Sequence, residues 1–191
     1  VGLDVHKAIV NNVFFNSKDP ALESFRFPAY ADGLIASGRL GRKAGGGLYK
    51  TITLKNGKKE IYVFDLKKME YRKKRNYFLE FSSNIVPLLK EGRYSDALCE
   101  MVNSDTSEAK ICLEFLLEYI CYAIYYSFEL TGDYNAGDNV MATGFNWIPP
   151  IALIDALGGK EKFLEIINNA QEVNSDLKDC FVNLWSSIPC S

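Results

Sequence analysis

Residues 38–50 read GRLGRKAGGGLYK, with five glycines and four basic side chains in thirteen positions. Glycine lets a backbone turn sharply and come close to a ligand, and Lys and Arg attract phosphate. Residues of these types at this density could hold an anion. The spacing excludes the two common ways of doing so. A P-loop needs a glycine followed by Lys and then Ser or Thr, and no glycine here has that sequel. A dinucleotide turn needs G-x-G-x-x-G after a strand and opening a helix, but Gly45-Gly46-Gly47 runs into Leu48-Tyr49-Lys50 and then a strand pattern. Taken by itself, the stretch reads as a tight turn between a helix and a strand.

Other residues able to do chemistry are few. His6 is the lone histidine, with Asp4 as its nearest carboxylate and no serine or cysteine nucleophile beside it. Cys99, Cys112, Cys121, Cys180 and Cys190 have no CxxC spacing, and with one histidine they make a poor zinc set. They are expected to be reduced thiols that mostly pack. KKMEYRKKRNYF sets Lys67, Lys68, Arg72, Lys73, Lys74 and Arg75 among Tyr71 and Tyr77. Basic residues mixed with aromatics can bind nucleic acid, but one such run in an acidic chain reads as a solvated helix face. Tyr119, Tyr122, Tyr125 and Tyr126 lie at helical spacing and read as core. GFNWIPP, residues 144–150, reads as a rigid bend with Trp147 packed inward.

The elements that must position these residues are mostly helical. Leu3, Val5, Ile9, Val10, Val13 and Phe14 give a helical stripe to about residue 15. A short helix follows in AYADGLIASG, with Gly38 as its stop. Two β-branched and aromatic runs flank Asn56-Gly57, the signal for a hairpin with a type I′ turn. From residue 69 the pattern is helical almost to the end. A long helix covers KKMEYRKKRNYFLEFSSNIVPLL, and Ser107–Glu129 forms another. Pro150 suits a first helical turn, and Ser175-Asp176 can cap the last helix. An internal echo aligns VGLDVHKAIVNN at 1–12 with LGGKEKFLEIINN from 157, as two copies of one helical unit would.

Composition agrees with a globular chain. The 191 residues are 48% apolar and 24% charged, enough for a sizeable core. A net charge of -2 gives no general pull toward nucleic acid or an anionic membrane. ICLEFLLEYICYAIYYSFEL, residues 111–130, is interrupted by Glu114, Glu118 and Glu129, so it reads as a buried helix rather than a membrane span. No signal peptide opens the chain, and its helical stripe is already under way at the first residues, as expected of a piece of something longer.

Two stretches together resemble a known family. RLGRKAGGGLYK resembles the pattern G-[RK]-K-[TS]-G-x-G-[FY]-Y that closes the C-terminal domain of 3-hydroxyacyl-CoA dehydrogenases, matching at Gly41, Arg42, Lys43, Gly45, Gly47 and Tyr49. Ala44 and Leu48 depart from it. DNVMATGFNWIPPIALIDALGG is similar to the pattern D-x-A-M-x-x-G-x-x-x-P-x-G-P-F-x-L-x-D-x-x-G of the same domain, at Asp138, Met141, Gly144, Pro150, Leu153, Asp155 and Gly158.

The resemblance implies an all-α chain of 6-phosphogluconate-dehydrogenase-C-terminal-like helical domains in tandem, with one β-hairpin at about residues 48–66. Residues 1–67 would be the end of the first copy, and 68–191 a second, degenerate copy. It also implies that NAD sits mainly on an N-terminal Rossmann domain outside this chain. The catalytic His-Glu pair would be there too, so no catalytic or metal residue is assigned here. The implied cofactor contact is Lys43, with Arg42 a second candidate. Glu114 stands where the family's supporting Asn would fall in the second copy. The implied partners are an acyl-CoA substrate, the Rossmann domain and a fused enoyl-CoA hydratase, in the cytoplasm, without nucleic acid or membrane. The fragment alone would be inactive. The tandem copies would pair as a pseudo-dimer, with helices 107–130 and 150–170 facing the first copy. The rival expectation is a non-catalytic helical binding module of the same fold.

Overall fold

The computed structural model describes residues 2–187, so Val1 and Cys190, which enter the sequence argument, lie outside the described residues. The chain divides into two compact units, Val1–Tyr77 and Phe78–Ser191.

The first unit begins with helix α1, Leu3–Asn16, and helix α2, Ala29–Ala36. Gly38 ends α2 with φ 72°, and the Arg39 N–H reaches back to the Leu34 carbonyl at 2.9 Å. After the glycine loop come strands β1, Tyr49–Thr53, β2, Lys59–Asp65, and β3, Glu70–Lys73. They form one antiparallel sheet in the order β1-β2-β3, with Thr51 opposite Ile61 and Phe64 opposite Tyr71. The core is thin. Among the described residues Ala21, Ala31, Leu34 and Phe64 are its buried apolar side chains, and α1 contributes none.

Two expectations need correcting here. The turn between β1 and β2 is a three-residue loop rather than a two-residue type I′ turn. The Gly57 N–H bonds the Leu54 carbonyl at 2.9 Å, and the Leu54 N–H bonds the Lys58 carbonyl at 2.8 Å. Gly57 alone takes positive φ, at 80°, while Asn56 keeps negative φ and accepts the Lys58 N–H on its side chain. This is a type I turn followed by a left-handed residue, the usual three-residue alternative.

The second correction is larger. The stretch read as the start of a long helix is β3, followed by irregular chain up to residue 79. Asp65 forces the reversal. Its carboxylate accepts the N–H groups of Lys67 and Lys68 and lies 3.3 Å from Arg72 Nε. The Lys68 N–H bond, with further help from Lys67 and Arg72, holds the Asp65 carboxyl below its ordinary pKa. The mostly helical architecture therefore carries a third strand, which lies beyond residue 67.

The second unit is helical throughout its described residues. It comprises α3, Glu80–Lys90; α4, Tyr94–Asn103; α5, Ser107–Thr131; α6, Ala136–Val140; α7, Pro150–Ala156; α8, Gly159–Asn169; and α9, Ser175–Ser187. By length and composition α5 could cross a bilayer. In the unit it packs against α4, α6, α7 and α9 and buries Leu117, Ile120, Cys121 and Ile124. Its outer face leaves Ile111 and Phe115 exposed. Phe163 of α8 meets Phe181 of α9 edge to face at 5.5 Å, and Phe181 stacks on Trp185 at 5.6 Å. Glu118 interrupts the apolar run of α5 for a reason: its carboxylate accepts the Asn174 N–H at 3.0 Å. The cap of α9 is Asn174, whose side chain accepts the Leu177 N–H at 3.0 Å, rather than Ser175-Asp176.

Gly137 of α6 lies directly on α5. A Cβ there would strike Ser127 Oγ and come within 3.3 Å of the Ala123 carbonyl. Gly137→Ala is expected to destabilise the protein by about 1–3 kcal/mol, with partial recovery on adding Ser127→Ala, read by denaturant unfolding.

Candidate functional site

The glycine loop closes on itself. Gly41 and Gly46 exchange both backbone hydrogen bonds, at 2.9 and 3.0 Å. Between them Arg42–Ala44 form one 3-10 turn. Gly47 N–H turns away to the Tyr49 carbonyl at 3.1 Å, and the Ala44 and Gly45 N–H groups bond the Gly41 and Arg42 carbonyls. The amides of Gly41, Ala44, Gly45, Gly46 and Gly47 are thus all donated to carbonyls of the loop or the strand that follows it. A phosphate nest needs such amides free and convergent. These five amides are therefore not available to an anion, and the exposed side chains of the tip are the cations that could meet one.

The side chains on offer are Arg42 and Lys43. Both are exposed at the tip of the 3-10 turn, and neither makes a hydrogen bond or ion pair among the described residues. A groove of about 360 Å³ runs beside the loop, bounded by Leu3, Leu40, Arg42, Leu48, Tyr49 and Thr51. Tyr49 is 62% exposed along it. Its walls are mixed, which suits a ligand with both apolar and anionic parts.

The loop is held from behind by residues that sequence reasoning placed elsewhere. Tyr71 of β3 donates its hydroxyl to the Gly47 carbonyl at 2.8 Å. A Cβ on Gly46 would lie 2.5 Å from that hydroxyl, and a Cβ on Gly47 would lie 3.0 Å from Gly41 Cα. The Tyr71 ring stands edge-on to buried Phe64 at 5.2 Å. Arg39 lies over Phe64 at 5.3 Å and Lys50 over Tyr71 at 5.5 Å. The signal that could have found Tyr71 is the alternation of Tyr62, Phe64 and then Tyr71 across a second turn, hidden by the lysines around it.

The other candidates are placed as follows. His6 is exposed on α1 with its ring 6.0 Å from Phe27. Arg72 pairs with Asp65, and Lys73 pairs with Glu60 at 2.5 Å, so part of the basic run is neutralised within the sheet. That run is strand and irregular chain, not a helix face. Cys121 is buried, and burial pushes its thiol far up in pKa; Cys99 and Cys112 are exposed, against the expectation that the thiols mostly pack. No cluster of three metal-ligating side chains occurs among the described residues.

In the second unit Tyr119, Tyr122, Tyr125 and Tyr126 are half-buried rather than core. Trp147 is 58% exposed, with one edge on Tyr119 at 5.2 Å, instead of packing inward. Tyr119 donates to the Ile148 carbonyl at 2.8 Å, which fixes the bend from its outer side. A second cavity, about 580 Å³, lies between Leu117 of α5 and Ile166 of α8, and Glu114 lines it. Asp138 accepts the Ile151 N–H at 3.0 Å and so caps α7 from α6. Burial raises its carboxyl above the ordinary range, and Asp155 adds repulsion; the Ile151 and Ala152 N–H groups oppose both.

Over 163 residues the chain is 27% identical to a protein of Bacillus subtilis (strain 168) described as a probable 3-hydroxyacyl-CoA dehydrogenase. The alignment covers 84% of this chain, which spans 20% of that protein's length. No protein-family description and no solved structure matches the chain. The similarity is distant, and the relative's description names the family that the sequence motifs resemble.

Two outcomes follow from the geometry. Gly47→Ala would press a methyl to 3.0 Å from the Gly41 backbone, which must then shift at the Gly41–Gly46 bridge; a loss of about 1–3 kcal/mol in thermal or denaturant unfolding is expected. Asp138 has a folded pKa above its ordinary value of 3.8. Its protonated form is favoured in the fold, so its contribution is full below pH 3.8 and is lost as pH rises through the folded pKa. The melting temperature of the parent should therefore rise relative to Asp138→Asn as pH is lowered from 7 to 4, and Asp155→Asn should shrink that rise.

Proposed function

We propose that this chain is the C-terminal, helical part of an NAD-dependent 3-hydroxyacyl-CoA dehydrogenase, and that its glycine loop offers Lys43 to the cofactor. The full enzyme would oxidise a 3-hydroxyacyl-CoA to the 3-oxoacyl-CoA in fatty-acid β-oxidation, in the cytoplasm. The observation that carries this reading is the alignment along 84% of the chain with the Bacillus subtilis protein described as a probable 3-hydroxyacyl-CoA dehydrogenase.

The geometry of the loop supports it. NAD carries a pyrophosphate and two riboses. Arg42 and Lys43 are two exposed cations, and no carboxylate of the described residues neutralises them. An ammonium left unpaired on a braced loop suits a negatively charged group presented by another body. When bound, NAD supplies the hydride acceptor. This chain's residues would bind and orient it: Lys43 at a phosphate or ribose oxygen, Arg42 as a second cation. No acid–base pair for the 3-hydroxyl is assigned to this chain, so the isolated fragment should be inactive.

The second unit would be a degenerate copy of the same 6-phosphogluconate-dehydrogenase-C-terminal-like domain. Asp138 supports this, because the motif aspartate has a structural task here as the cap of α7. Paired copies would supply within one chain the surface that single-domain relatives gain by dimerising. A second reading is a helical module that binds without catalysis. It is favoured by Glu114, which replaces the supporting Asn in the second copy.

The test is NAD-dependent oxidation of 3-hydroxybutyryl-CoA by the full-length protein and its Lys43→Ala variant. Loss of one charge-assisted contact should raise the KM for NAD about tenfold or more. The kcat should stay within about threefold, since uniform binding is what is removed. An unchanged KM would refute the cofactor role of Lys43, and absence of any activity in the full-length protein would favour the binding module.

A further inference from the structure

We infer that Tyr71 is the positioning residue of the glycine loop: it sets where Lys43 stands through its hydroxyl bond to Gly47 and its ring against Gly46. This rests on the reading of Lys43 as a cofactor contact, and it goes beyond that reading, because the matched motif stops at Tyr49 and contains no residue of β3.

The loop has no large side chain to anchor it, since Gly41, Gly45, Gly46 and Gly47 fill most of its length. Glycines make a loop mobile unless something outside orders it. The reciprocal Gly41–Gly46 bridge closes the loop but does not say how the closed loop is oriented. Orientation comes from β3. The Tyr71 hydroxyl takes the Gly47 carbonyl, and the phenol occupies the space where a Gly46 Cβ would stand. Gly46 and Gly47 are accordingly buried although the loop's tip is exposed.

The same ring system clamps both sides of the loop. Arg39 precedes the loop and lies over Phe64; Lys50 follows it and lies over Tyr71. Phe64 and Tyr71 are cross-strand partners on β2 and β3. Two of the four cations of the stretch are thereby committed to aromatic faces, at the loop's two ends. The other two, Arg42 and Lys43, are left at the tip. A braced tip loses less freedom when a ligand meets it, and affinity then reflects that pre-organisation. The third strand thus has a task beyond completing a sheet: it supplies the wall against which the glycine loop is built.

The test compares Tyr71→Phe, Lys43→Ala, the double variant and Tyr62→Phe in the full-length protein. Tyr71→Phe keeps the ring, its edge contact with Phe64 and the Lys50 contact, and removes only the hydroxyl bond. It should raise the KM for NAD about threefold to tenfold, leave kcat within about twofold, and speed amide exchange at Gly41 and Gly46. In the Lys43→Ala background it should add nothing, since both act through one contact. Tyr62→Phe removes another hydroxyl from the same sheet, one that bonds Glu60, and should leave KM unchanged. If Lys43→Ala raises KM and Tyr71→Phe does not, the positioning role falls and the cofactor reading stands. If the two effects are additive, or Tyr62→Phe raises KM as much, Tyr71 acts only through general stability and the inference is overturned. If Lys43→Ala itself is silent, the cofactor reading fails, and the inference built on it fails too.

Discussion

The approach of Gly47 to Gly41, backbone against backbone so that an added methyl would lie only 3.0 Å from Gly41 Cα, is the constraint on which the first unit turns. It brings the two ends of a short loop close enough for Gly41 and Gly46 to exchange hydrogen bonds. Once they do, five of the loop's amides are taken, and what its tip presents outward is the side chains of Arg42 and Lys43. The next element must also start at a set place. Leu48 accepts the Phe64 N–H, β1 runs on from Tyr49, and β2 returns in register. Phe64 then lies where it can receive Tyr71 from β3 on one side and Arg39 on the other. Phe64 is thus the buried aromatic at which the loop and the sheet meet, and the hydrogen bonds and cation–π contacts around it each add a modest amount.

The second unit is built on the opposite logic. Its stability comes from α5, whose inner face is covered by four other helices. Polar groups on or beside that helix act as fasteners. Glu118 reaches the Asn174 N–H and ties the start of α9 to the middle of α5. Asp138 reaches Ile151 and ties the start of α7 to α6. In each case a half-buried carboxylate takes an amide that a helix N-terminus leaves without an intrahelical partner. These residues look like interruptions or motif positions in the sequence. In the fold they are caps delivered from another helix.

The helices with strong periodicity were legible. The stripe from Leu3 to Phe14, the stop at Gly38, the start at Pro150 and the long apolar run of α5 all correspond to observed elements. The hairpin was legible too, apart from its turn type. What misled was local chemistry that favours one state while a distant partner imposes another. KKMEYRKK has the charge density of a solvated helix, yet its Tyr71 and Arg72 are paired with β2. Trp147 has the size of a core residue, but it lies at a bend, 58% exposed, with one edge on the Tyr119 ring. Ser175 and Asp176 are good caps by type, but Asn174 stands one residue earlier in the right geometry.

By itself the sequence determined that the glycine stretch is neither a P-loop nor a dinucleotide turn, since both depend on residues at fixed spacing. It also determined that Arg42 and Lys43 are the cations at the centre of that stretch. Only the tertiary structure decided that the amides of Gly41, Ala44, Gly45, Gly46 and Gly47 are spent internally. Only it decided that Arg39 and Lys50 are drawn onto aromatic rings, and that Tyr71 braces the loop from a strand beyond the hairpin. The reason is separation along the chain. Spacing rules see neighbours within a few residues, whereas Tyr71 meets Gly47 across 24 positions. A contact of that range exists only once two turns have folded the sheet back on itself.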